Sequence, residues 1–152
     1  MNISFCVIIM KYMIKDTIYY QIMCNTPSVP PESGGILGSV NDIITNYIPD
    51  SGLHDGNIGK YIPSIPYLNE QIRLWYDQNI KFCGIYHTHF EGDIKLSGGD
   101  ILYINNILKQ FQPYMDNLLF PLVFPQKEII FYSAKLQNGI VKIYDENVIF
   151  VK

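Results

Sequence analysis

The 152-residue chain has few cysteines, few charges and no basic run. Its three cysteines are Cys6, Cys24 and Cys83. An odd, sparse set is a poor disulfide framework, and reduced thiols in a cytoplasmic protein are the simpler expectation. No Cys-x-x-Cys pair occurs, which argues against a zinc ribbon and against a deaminase-type cysteine site. Charged residues make up 16% of the chain, with a net charge of −3. A nucleic-acid or polybasic membrane role therefore has no electrostatic basis. The apolar stretch from Phe5 to Met10 is far too short to span a bilayer. No basic segment precedes it, Lys11 and Lys15 end it, and no small-residue cleavage site follows, so export is not expected.

Apolar residues, by contrast, make up 48%. That is enough for a sizeable core in one domain covering residues 1–152. There is no internal repeat and no low-complexity tract. Val7 to Cys24 reads as a strand followed by a helix, or as one helix, and periodicity does not decide between them. Three prolines make Thr26 to Pro31 a loop. Gly35 to Val40 and Asp42 to Ile48 read as short strands. Pro49 to Pro66, rich in glycine and proline, reads as an irregular loop of the kind that borders sites.

Leu68, Ile72, Trp75 and Tyr76 form one apolar stripe at helical spacing. Lys81 to His87 reads as a buried strand, with Phe82, Gly84 and Tyr86 on one face and Cys83 and Ile85 on the other. Ile101, Ile104, Leu108 and Phe111 mark a second amphipathic helix. Leu118 to Phe124 is an apolar strand broken by Pro121, which suggests an edge or a bulge. Lys127 to Ala134 and Ile140 to Tyr144 flank Asn138-Gly139, a strong hairpin signal. A last strand, Asn147 to Val151, follows. Helices mixed with mostly hairpin-linked strands point to the α+β class.

The informative run extends from Gly84 to Asp100. His87 and His89 stand at i and i+2, so on a strand both imidazoles face one side. Two such nitrogens can reach one zinc ion at about 2.0–2.1 Å each. Asp100, near the start of the second helix, can supply an anionic third ligand, leaving a fourth position for water as in catalytic zinc sites. The segment Ser97-Gly98-Gly99-Asp100 equally fits a helix capping box, with Ser97 as N-cap. For His87 and His89, the alternative is a polar pair at a strand end.

The spacing His-x-His-x7-Ser-x2-Asp, carried here by His87, His89, Ser97 and Asp100, resembles the JAMM motif of the JAB/MPN metalloprotease family. Glu32, leading into Ser33-Gly34-Gly35-Ile36-Leu37-Gly38, resembles that family's upstream glutamate and its glycine-rich strand. The resemblance implies one JAB/MPN-like α+β domain. Its curved, mostly antiparallel sheet would be flanked by helices in a cytidine-deaminase-like layering. It implies one Zn2+ per chain on His87, His89 and Asp100, with Glu32 as general base and then general acid. Ser97 would donate to the developing oxyanion.

It further implies hydrolysis of peptide or isopeptide bonds, at tails of ubiquitin-like or sulfur-carrier-like proteins, in modifier processing or anti-phage defence. Phe90 departs from the proline common at this place, which alters the loop and not the ligands. Phe90, Glu91 and Asp93 are candidate substrate contacts, and the loops Pro49 to Pro66 and Phe90 to Leu96 are candidate groove walls. Pairing of MPN domains makes a homodimer possible. Two other functions fit the same domain: a metal-free MPN scaffold, and a metallopeptidase for small peptides. His54 with Asp55 reads as a surface polar pair, Cys83 as a core thiol, and Trp75 and Tyr76 as core packing.

Overall fold

The computed structural model describes residues 12–53, 60–90, 95–110, 115 and 117–152. The expected first element at Phe5 to Met10, and the positions of His54, Asp55, Glu91, Asp93 and Phe111, lie outside these residues.

The described residues open with strand β1 (Tyr12–Lys15), which passes directly into helix α1 (Asp16–Asn25). From Tyr12 onward, the N-terminal apolar segment is thus a strand followed by a helix. Asp16 sits in the first helical turn, where a carboxylate suits the exposed N–H groups. Strands β2 (Gly34–Val40) and β3 (Ile43–Asp50) form an antiparallel hairpin. Both of its turn residues, Asn41 and Asp42, hold positive φ, the turn geometry that matches strand twist and that Asn and Asp tolerate. Helix α2 (Ile65–Asp77) follows the loop, with a proline in its first turn. It stops where Asn79 turns to a φ of 59°.

Strand β4 (Lys81–Thr88) and helix α3 (Gly98–Gln110) come next. The remaining elements of the described residues are strands: β5 (Asn117–Leu119), β6 (Leu122–Phe124), β7 (Glu128–Gln137), β8 (Ile140–Glu146) and β9 (Val148–Val151). The Asn138-Gly139 turn between β7 and β8 has both residues at positive φ, as its sequence predicts.

The nine strands among the described residues join one mixed sheet, in the order β5-β7-β6-β4-β2-β3-β1-β9 with β8 on β7. Antiparallel pairings outnumber parallel ones, five to four. Only Asn147 separates β8 from β9. One bent strand therefore pairs β7 along its first half and β1 along its second, and the sheet curls round on itself. Strands β5 and β6 lie end to end between β4 and β7. Pro121 sits at the break between them, where its missing N–H costs no ladder bond. The break was expected; an edge position was not borne out, because both pieces have a neighbour on each side.

Helices cover both faces. Leu68 and Trp75 of α2 and Ile104, Ile107 and Leu108 of α3 pack with Ile36, Phe82, Ile85 and Phe120. Ile22 and Met23 of α1 pack with Leu37, Tyr86, Leu119 and Phe131 on the other face. Two stripe residues are displaced from the expected pattern. Tyr76 is 81% exposed, so it is not core, and Ile101 is also exposed, with Ile107 taking its place inside.

The strict alternation expected for β4 also fails. Leu37 pairs with Gly84 and Gly38 with Phe82, which leaves Cys83 as an extra residue in a β-bulge. Phe82 therefore shares a face with Ile85, and Cys83 packs against the Tyr86 side.

Candidate metal centre

His87 is buried near the end of β4, in the middle of the sheet. Its neighbours hold it from both sides. Gly34 of β2 stands opposite it, and Leu122 of β6 lies alongside. Its N–H donates to Pro121 O at 3.3 Å, and that of His89 donates to Val123 O at 3.0 Å. Thr88, between the two histidines, turns to the other face, as alternation requires. Its hydroxyl accepts from Ser33 N at 3.0 Å and lies 3.3 Å from Ser33 O, to which it donates. The Thr88 N–H donates to Ser33 O at 2.9 Å. The residue following Glu32 is thereby fastened to the strand end that carries the imidazoles.

The two Nε2 atoms are 3.0 Å apart. His87 Nε2 lies 3.2 Å from Asp100 Oδ1, and His89 Nε2 lies 3.5 Å from Asp100 Oδ2. Ligands of a tetrahedral zinc at bonds of about 2.0–2.1 Å stand roughly 3.3–3.4 Å apart. The nitrogen–nitrogen separation lies near that edge length, as do the two nitrogen–oxygen separations, which end on different oxygens of the one carboxylate; the group could hold one small cation. Hydrogen bonding alone serves the trio less well. A neutral imidazole has one N–H. The contact between the Nε2 atoms makes one of them an acceptor, and that acceptor also faces a carboxylate oxygen.

Burial alone would raise the Asp100 carboxyl. The two imidazoles and the Ser97 N–H override it and hold the group well below the usual carboxylate range. His87 Nδ1 has no hydrogen-bond partner among the described residues. Its ring instead packs on Phe120, with centroids 5.3 Å apart.

The capping box forms as well. Ser97 N donates to Asp100 Oδ2 at 2.8 Å, and Asp100 N donates to Ser97 Oγ at 3.1 Å. The two sequence readings of Ser97 and Asp100 are therefore compatible. The box starts α3, and by starting it there it aims the Asp100 carboxylate at the histidines.

Glu32, His87, His89, Phe90, Ser97 and Asp100 all line one cavity of about 750 Å³. The segment from Lys60 to Ile65 supplies a wall of it, mostly apolar, as expected of the loop before α2. Glu32 Oε2 accepts from Tyr61 N at 3.2 Å. Burial pushes the Cys83 thiol up to about 12, which suits a core thiol and not a nucleophile.

Three residues of this neighbourhood had no sequence signal: Thr88, Asp50 and Tyr61. Asp50 lies 11 and 14 residues from Tyr61 and Ser64, the partners it reaches across the loop. No periodicity marks such a contact. Thr88 was legible only as the residue between two histidines.

No family model matches the sequence, and no curated protein matches it. Solved structures do. A protein of Desulfitobacterium hafniense is 12% identical, with a TM-score of 0.61, over 91% of this chain and 93% of that one. A protein of Salinibacter ruber is 13% identical, with a TM-score of 0.55, over 91% of each chain. Identities this low carry the fold and nothing of the chemistry: the chain shares its α+β architecture with these two bacterial proteins.

Proposed function

We propose that this chain is a zinc-dependent hydrolase of peptide or isopeptide bonds, of the JAB/MPN type. The observation that carries the reading is the convergence of His87, His89 and Asp100: the two Nε2 atoms stand 3.0 Å apart, and the two oxygens of the one carboxylate lie 3.2 and 3.5 Å from them. The group opens into a cavity that also holds Glu32 and Ser97. When bound, zinc supplies Lewis acidity and brings the pKa of a water to about 7.

The protein's own groups do the rest. Glu32 takes the proton of the attacking water and later hands it to the leaving amine. Its Oε2 is held by the Tyr61 N–H, which keeps the carboxylate aimed. Ser97 Oγ accepts from the Asp100 N–H, and its own proton is then directed to the oxyanion that develops on the scissile carbonyl. His87, paired with strands on both sides, and His89, held by its N–H to Val123 O, keep the ligand set rigid.

The substrate we infer is an extended protein tail, as on ubiquitin-like or sulfur-carrier-like modifiers, in a cytoplasmic setting. No helix among the described residues is long and apolar enough to cross a membrane, and Cys24 and Cys83 are free thiols. A second reading, a metallopeptidase for short peptides, is favoured by the volume and apolar wall of the cavity.

The test pairs metal analysis with cleavage of a ubiquitin-like protein fused at its C-terminus to a fluorogenic amine, and of short peptide amides. The wild type is expected to hold about one zinc per chain. Glu32→Gln is expected to keep zinc and lose hydrolysis of whichever probe is cut. A wild type that cannot be loaded with zinc, or a Glu32→Gln variant as fast as wild type, refutes the reading.

A further inference from the structure

Asp50 is a buried carboxylate, 5% exposed, that the chemistry above leaves unused. It ends β3 and meets three neutral donors. Tyr61 Oη donates to it at 2.7 Å, Ser64 N at 2.9 Å and Gly52 N at 3.0 Å. Two of these donors come from the far side of the loop before α2. The carboxylate thus ties residues 61–64 to the end of the sheet.

The tie sets Tyr61 in two ways. Its ring lies against Gly34, where an added Cβ would come within 2.6 Å of Tyr61 Cε1. Gly34 is the β2 residue opposite His87. The Tyr61 backbone N–H, in turn, reaches Glu32 Oε2 at 3.2 Å. Glu32 precedes β2, outside any ladder. Its carboxylate is therefore fixed by a neighbour whose own position depends on Asp50.

We propose that Asp50, acting through the Tyr61 hydroxyl, is a positioning residue that aims the Glu32 carboxylate. It touches neither the ligand set nor the reacting atoms. The inference rests on the reading of Glu32 as the general base. It adds a residue pair that sets how well the base is aimed. Tilting a base by a fraction of an ångström acts on the chemical step and leaves binding alone.

The test uses Tyr61→Phe and Asp50→Asn in the full chain, read by zinc content, kcat and KM on the probe cleaved by wild type, and the amide resonance of residue 61. Tyr61→Phe keeps the ring on Gly34 and removes only the tie to Asp50. The expected result is unchanged zinc, KM within about twofold and kcat down about tenfold. In the wild-type background, Glu32→Gln is expected to move the Tyr61 amide proton.

Wild-type kcat in Tyr61→Phe overturns the proposal. So does loss of zinc or a rise in KM in step with kcat, since that is what a general loosening of the loop produces. An unmoved Tyr61 amide in Glu32→Gln also overturns it. If Asp50→Asn fails to fold, Tyr61→Phe decides. A wild type that neither takes zinc nor cleaves refutes the site's chemistry, and the amide measurement then still decides whether Tyr61 holds Glu32.

Discussion

Asp100 serves two structures at once, and substitutions separate them. Its Oδ2 caps α3 by accepting from Ser97 N at 2.8 Å, while Oδ1 faces His87 at 3.2 Å. In Asp100→Asn the side chain keeps one oxygen for the cap but loses the charge that helps hold a cation. In Ser97→Ala the reciprocal bond from the Asp100 N–H is lost and the carboxylate remains. Losing an N-cap hydroxyl costs about 1 kcal/mol. In a chain of this size that lowers Tm by roughly 2–4 °C.

Free zinc at 100 times its Kd stabilises by about 2.7 kcal/mol, a rise of roughly 5–10 °C at the same conversion. Thermal melting with and without zinc therefore distinguishes the variants. Wild type is expected to show the full rise. Ser97→Ala should start lower by a few degrees, show the same rise, and lose about 10²–10³-fold in hydrolysis. Asp100→Asn should start somewhat below wild type without zinc, because a neutral cap bond replaces a stronger charged one, and should show no rise. If Asp100→Asn keeps the wild-type rise, the carboxylate is not a ligand. If Ser97→Ala loses it, the cap and the metal site are not separable as described.

The other outcomes concern packing and acid stability. Gly34→Ala puts a Cβ 2.4 Å from Tyr86 O and 2.6 Å from the Tyr61 ring; overpacking of this kind costs about 1–3 kcal/mol, and urea unfolding checks it. Trp75→Ala should cost about 3–5 kcal/mol. Tyr76→Ser, next to it but exposed, should stay within about 0.5 kcal/mol, and equal losses at both positions would refute the helix orientation. Burial would raise the Asp50 carboxyl, but the Ser64, Tyr61 and Gly52 donors outweigh it and lower the group. A lowered carboxyl contributes stability that is complete above its unfolded value of about 3.9 and is lost as pH falls through the folded one. Asp50→Asn should therefore flatten the loss of stability below about pH 4, and an unchanged acid limb would contradict the donor set.

Much of the fold was legible because local chemistry governs it. The Asn138-Gly139 turn, the prolines before β2, and the apolar residues of α2 and α3 act on their near neighbours. What was missed depended on distant chain. Tyr76 belongs to an apolar stripe by spacing, yet it is exposed, and none of the described residues buries that side of α2. The alternation in β4 broke at Cys83 because its partner β2 lacks a matching residue there. Pro121 suggested an edge, but β7 arrives from later in the chain to cover it.

For the candidate site, the sequence alone determined the types of the proposed donor residues and their order. Two histidines two apart on a strand must share a face, and an Asp three residues after a Ser can cap a helix; both follow from backbone geometry within a few residues. Whether that Asp meets those histidines depends on how β4 and α3 pack, which is a long-range matter. Only the tertiary structure brought the Asp100 carboxylate to 3.2–3.5 Å from the two imidazoles, set Gly34 against His87, and tied Glu32 through Tyr61 to Asp50. These contacts join residues between 11 and 53 positions apart, and no spacing rule reaches that far.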